Sequence, residues 1–181
     1  DAEQLQQQVF EECEELLGID HSDTTESKAR LAKIFRMNGK LIKAERLGQE
    51  VLKIRKEALG SSHPDTIDVM ANLAATYKYS GKLDEAEKLQ QEVLRVRREA
   101  FGSSHPDTIN AMANLATTFW KGGKLDEAEN LEQEVLRVRR EAFGSSYPDT
   151  INAMANLATT FRKGGKFNEA ENLEQEVLRM R

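Results

Sequence analysis

Three histidines, His21, His63 and His105, recur 42 residues apart, and Tyr147 holds the fourth place in the series. Histidine is the commonest metal ligand and a general base near neutral pH. Neither chemistry suits this spacing. Copies of one place in stacked helical units stand at least a helix-packing distance of about 8–10 Å apart. The ligands of one zinc converge about 2 Å from the metal. Each histidine therefore reads as a turn residue beside a helix start. Cys13, the single cysteine, has no histidine at a recognisable spacing and reads as a structural thiol. Gly122-Gly123-Lys124 lacks the preceding strand and trailing Ser or Thr of a phosphate loop, and reads as a helix stop. The acidic clusters at Glu11-Glu12 and at Glu127 and Glu129 read as solvated helix faces. No nucleophile, base and orienting group can be assembled, so the sequence predicts no enzyme, no metal and no cofactor.

The elements that carry these residues follow from the same repeat. His63-Pro64-Asp65-Thr66 returns as His105-Pro106-Asp107-Thr108 and as Tyr147-Pro148-Asp149-Thr150, with a worn copy at His21-Ser22-Asp23-Thr24. Eight glycines, from Gly18 to Gly165, fall every 21 residues. Apolar residues between them have helical period, for example Ile109, Met112, Ala113, Ala116 and Phe119. Glycine just past a helix end supplies the left-handed residue that closes it. Each unit is therefore two helices and two turns. First helices are expected near 23–38, 65–80, 107–122 and 149–164, and second helices near 1–17, 40–58, 83–100, 125–142 and 167–180. Ser104 with Asp107 reads as a capping box, and Asp20 with Asp23 as its worn equivalent. Second helices open acidic (Asp126, Glu127) and close basic (Arg139, Arg140), which complements the helix dipole.

A fixed period of this length marks a solenoid in which each unit buries its apolar face on its neighbours. The array is expected to span 1–181, as a lone second helix (1–17), a degenerate unit (18–59) and near-identical units at 60–101, 102–143 and 144–181. A net charge of −5 argues against nucleic-acid phosphate as a partner. No apolar run is long enough to cross a membrane, and with one cysteine and no targeting segment the expected compartment is the cytoplasm. The array opens and closes on second helices without polar caps, so the sequence reads as a piece of a longer array. Val9, Leu16, Leu173 and Val177 are expected on faces that an adjoining unit covers, giving head-to-tail self-association through uncapped ends.

Leu115-Ala116, Phe119, Gly123, Ala128 and Leu136 match the small and aromatic places of tetratricopeptide repeats, which the chain resembles. The 42-residue wording HPDT…MANLA…F…GK…EAE is similar to the long repeats of kinesin light chains. It is more similar still to the near-identical C-terminal arrays of fungal NOD-like receptors. The resemblance implies an all-α, right-handed superhelical solenoid of about nine helices. Glu132 and Val135 depart from it, standing where an aromatic and an alanine are usual, which bears on packing between neighbouring units.

The resemblance also implies that first helices line a concave groove that binds a protein or an extended peptide. By register, Asn72, Asn114 and Asn156 match asparagines that bond a peptide backbone; the alternative is that each bonds its own neighbourhood. Arg30, Lys33 and Arg36 share one helix face at i, i+3 and i+6. With Lys78, Lys121, Arg162 and Lys163 they would form a basic trough for an acidic segment. Thr117 and Thr159 fall beside them. The last two units differ at five of 39 aligned places, and only Trp120/Arg162 changes charge, shape and bonding together at a groove place. Trp120 is expected to be partly exposed, flanked by Arg162 and Lys78, and to anchor an apolar side chain. The function implied is that of the recognition repeats of a NOD-like receptor. The alternatives are a kinesin-light-chain-like cargo adaptor and a module that stacks end to end.

Overall fold

The structure, a computed structural model, describes residues 2–180 and contains nine α-helices and no strand among them. Second-type helices are α1 (Ala2–Leu17), α3 (Leu41–Leu59), α5 (Leu83–Phe101), α7 (Leu125–Phe143) and α9 (Phe167–Met180). First-type helices are α2 (Ser22–Met37), α4 (Pro64–Tyr79), α6 (Pro106–Lys121) and α8 (Pro148–Lys163). The helices fall into two compact units, residues 1–89 and 90–181.

The recurring His-Pro-Asp-Thr has a separate job for each residue. His105 is the N-cap of α6, and the Asp107 N–H donates to its Nδ1 at 3.2 Å. His21 and His63 cap α2 and α4 in the same way. The expected caps Ser104 and Asp20 do not perform this task. In α2, α4 and α6 an imidazole nitrogen one residue later reaches the orphan N–H instead. Proline then occupies the first turn, where its missing N–H costs nothing. The threonine is fully buried: Thr66 Oγ1 donates to the Arg55 carbonyl and Thr108 Oγ1 to the Arg97 carbonyl. Arginines of the preceding helix return the contact, Arg55 to the Asp65 carbonyl and Arg139 to the Asp149 carbonyl. Each second helix is thus tied at its C-terminal end to the start of the next first helix.

The glycines divide into two kinds. Gly123 closes α6 at φ 77, the left-handed closure expected. Gly144 ends α7 at φ 82 and ψ 166, outside the left-handed helical well and in a region open essentially to glycine alone.

In the first unit Leu31, Phe35, Ala44 and Leu47 form one cluster with Phe10 packed on it, and Leu73, Tyr77 and Ala86 form another. Lys28 is buried as well, its Nζ reaching Glu50 at 3.1 Å and lying over the Phe10 ring. In the second unit Met112, Leu115, Ala128, Val135, Met154 and Ala170 are buried. Val9 and Leu16 are exposed, whereas Val177 is buried.

Leu115→Asp places an unpaired charge in this packing and is expected to cost several kcal/mol, unfolding at least the α6/α7 hairpin in a denaturant titration. Tyr147 stacks on Phe143 but makes no capping bond. His105 makes both contacts, stacking on Phe101. Tyr147→His therefore adds a cap, and thermal unfolding should show a gain of about 0.5 kcal/mol.

Candidate binding site on the first helices

The face of each first helix opposite the core carries the expected site residues, and the structure sorts them by what they already touch. Asn72 is exposed and its Nδ2 donates to the Asp68 carbonyl, so its amide is engaged with its own helix. Asn114 and Asn156 are exposed on α6 and α8. Thr117 and Thr159 bond back to the Ala113 and Ala155 carbonyls, leaving their methyls as the outward surface. Lys121 is exposed and Lys78 half-buried.

Two of the seven cations expected in the basic trough are paired with carboxylates. Arg30 Nε pairs with Glu26 at 3.0 Å on the helix surface. Arg162 holds Glu174 through Nη2 at 2.6 and 2.7 Å, and this pairing keeps the guanidinium charged. Arg162 is thus engaged within its own hairpin. Lys163 flanks Trp120: its Nζ sits 4.0 Å from the indole centroid and donates to the Trp120 carbonyl at 3.1 Å. In the first unit Lys33 and Arg36 remain beside a narrow niche with Asn72 and Thr76. Arg36 Nε is buried there without a bonded partner.

One pair of places, twelve residues apart across each hairpin, governs these differences. In α8/α9 the pair is Arg162 and Glu174, which bond each other. In α2/α3 it is Arg36 and Gly48; the missing side chain at Gly48 leaves room for Leu73, whose Cδ1 lies 3.1 Å from where a Cβ would stand. In α6/α7 it is Trp120 and Glu132. An indole cannot pair with a carboxylate as arginine does, and Glu132 Oε2 is buried without a bonded partner. Trp120 is half-buried as expected, yet its Nε1–H is also buried and unpartnered.

These two side chains wall an open cleft of about 180 Å³ with Thr117, Asn156, Thr159 and Thr160. Burial pushes the Glu132 carboxyl above the usual range; the nearby Thr160 hydroxyl opposes the shift and Glu129 adds to it. Thr160 Oγ1 lies beside that carboxylate without a bond in regular hydrogen-bonding geometry. Thr76 and Thr118, at the same place on α4 and α6, bond back to their own helices. Sequence reasoning singled out Trp120 against Arg162 but missed that each has a glutamate opposite. The signal was present: Glu132 and Glu174 are identical where their partners differ.

A carboxyl with a raised folded pKa destabilises the fold when ionised; the penalty vanishes below the ordinary carboxylate range and grows as pH rises through the folded value. Glu132→Gln should therefore raise the melting temperature at pH 7, and the difference should disappear below a pH of about 4.

Among the described residues no group of three or more His, Cys, Asp and Glu could hold a metal ion, and no helix is long and apolar enough to cross a membrane. A family model described as tetratricopeptide repeat matches residues 24–99, 65–141 and 133–181, and a second of the same description matches 1–23. No curated protein matches the sequence. Among solved structures, a Podosopora anserina protein described as a kinesin light chain with nearly identical TPR-like repeats is similar over 99% of this chain and 85% of its own. The two share 26% identity with a TM-score of 0.90. BtubC (BKLC) from P. vanneervenii has the same fold at 22% identity and a TM-score of 0.86, over 99% of this chain and 71% of its own.

Proposed function

The chain belongs to the tetratricopeptide-repeat family, and we propose that it is a binding module that takes protein or peptide segments on its first-helix faces. The observation that carries this reading is the cleft at Trp120. A large aromatic there is half-exposed beside the outward amide of Asn156 and the methyls of Thr117 and Thr159. Tryptophan in such a setting is a residue type over-represented among binding hot spots. In the first unit the niche at Lys33 and Arg36 supports an acidic side chain as one recognised group, since Arg36 Nε has a donor to give.

The parent role proposed is the recognition region of a NOD-like receptor, supported by the near-identity of residues 101–139 with 143–181. Similarity to the P. anserina protein described as a kinesin light chain favours a second reading, a cargo adaptor. The domain order of the parent discriminates: a nucleotide-binding domain upstream supports the receptor, a heptad coiled coil the adaptor.

Selection of peptides from a displayed library against this chain should return specific binders. Trp120→Ala should weaken their binding by about 2 kcal/mol by calorimetry, with the far-ultraviolet circular dichroism unchanged. Binders indifferent to Trp120 would place recognition on another face.

A further inference from the structure

The pair Arg162–Glu174 shows what a glutamate at this place binds when a partner is present: a guanidinium, gripped by both oxygens. At the preceding hairpin the glutamate is retained and the arginine is replaced by Trp120. Glu132 Oε2 and Trp120 Nε1 are buried in the wall of one cleft without a regular hydrogen bond, and Thr160 Oγ1 lies beside the carboxylate outside regular bonding geometry. Thr160 is only 2% exposed, and unlike Thr76 and Thr118 it does not satisfy itself on its own helix. Buried polar groups in folded proteins are nearly always bonded, so a carboxylate and an indole N–H left unsatisfied on one cleft ask for a shared guest.

We propose that this cleft is a subsite for an arginine side chain of a bound protein segment, the guanidinium reaching the Glu132 carboxylate from the cleft side of the Trp120 indole and making the kind of pair that Arg162 makes with Glu174. The fit follows from the chemistry of the wall. A guanidinium is donor-only and planar, and matches a carboxylate through two parallel bonds. Its remaining N–H groups can serve Thr160 Oγ1 and the Asn156 amide oxygen. The indole N–H is a donor and needs an acceptor, which the backbone carbonyl of the same segment supplies. A metal ion or a lone ammonium offers no such acceptor, which favours a peptide. The cations already nearby are committed elsewhere, Lys163 to the Trp120 carbonyl and Arg139 to the Asp149 carbonyl.

This inference deepens the binding-module reading and rests on it, but it can be tested separately. The chain has one tryptophan, so a single indole N–H resonance reports on the cleft. The probe is the blocked tripeptide acetyl-Ala-Arg-Ala-amide, titrated into the millimolar range against ¹⁵N-labelled protein. Its citrulline counterpart, neutral and of the same shape, is the control. The arginine peptide should shift the indole resonance saturably, and the citrulline peptide should bind at least about tenfold more weakly. Glu132→Gln should remove the preference for arginine while the protein keeps its melting transition. No shift with the arginine peptide, an equal response to citrulline, or a preference that survives Glu132→Gln overturns the proposal. If library-selected peptides bind through Trp120 but carry no arginine preference, the subsite fails and the binding module stands. If arginine binds in the cleft but no longer segment binds the chain, the reverse holds.

Discussion

A hairpin of two helices of 16 and 19 residues cannot close a core by itself, because each helix has an apolar stripe wider than its partner covers. Everything else follows from how that deficit is met. The second face of each second helix is covered by the next first helix, and the joint is fixed by polar contacts at one end. At α3/α4 and α5/α6 a buried threonine bonds a carbonyl near the end of the preceding helix, and there and at α7/α8 an arginine from that helix bonds the carbonyl beside the threonine. Since these bonds go to backbone atoms, they fix register without depending on which side chains line the outer face. The outer face is thereby free to vary.

That freedom is used sparingly. Across the last two units the apolar exchanges Leu125/Phe167 and Val138/Met180 leave the packing in place, since cores absorb changes of shape among apolar groups. The exchange Trp120/Arg162 does more, because the residue opposite is a glutamate in both hairpins. One substitution turns a closed ion pair into an acidic cleft roofed by an indole. In the first unit the corresponding pair, Arg36 and Gly48, yields a niche of opposite charge that is partly filled by Leu73. The same two places thus produce three different chemical surfaces on one backbone.

The helical layout was legible because glycine spacing and apolar period are local signals. The identity of the caps was missed because serine and aspartate are the commoner N-caps, whereas in three of the first helices histidine supplies the acceptor. The burial of Lys28 and of the motif threonines was not legible, since both depend on partners in other helices, Glu50 for one and a backbone carbonyl for the other. Trp120 could be singled out from a comparison of copies. The basic trough could not be judged, because arginines at Arg30 and Arg162 look free in sequence and are paired in space. Counting charges along one helix overlooks the glutamates presented by the next.

The joints between units are also copies. Arg98 binds Glu134 and touches Met112, and Arg140 binds Glu176 and touches Met154, so the end of one unit accepts the start of another unit of the same kind. A gene encoding such an array can recombine out of register with itself and still yield a protein whose joints fit. Each such crossover would add or delete a whole hairpin, or exchange tryptophan for arginine at one, in a single genetic event. The outer surface of a chain built this way can change by copy number and shuffling as well as by point substitution.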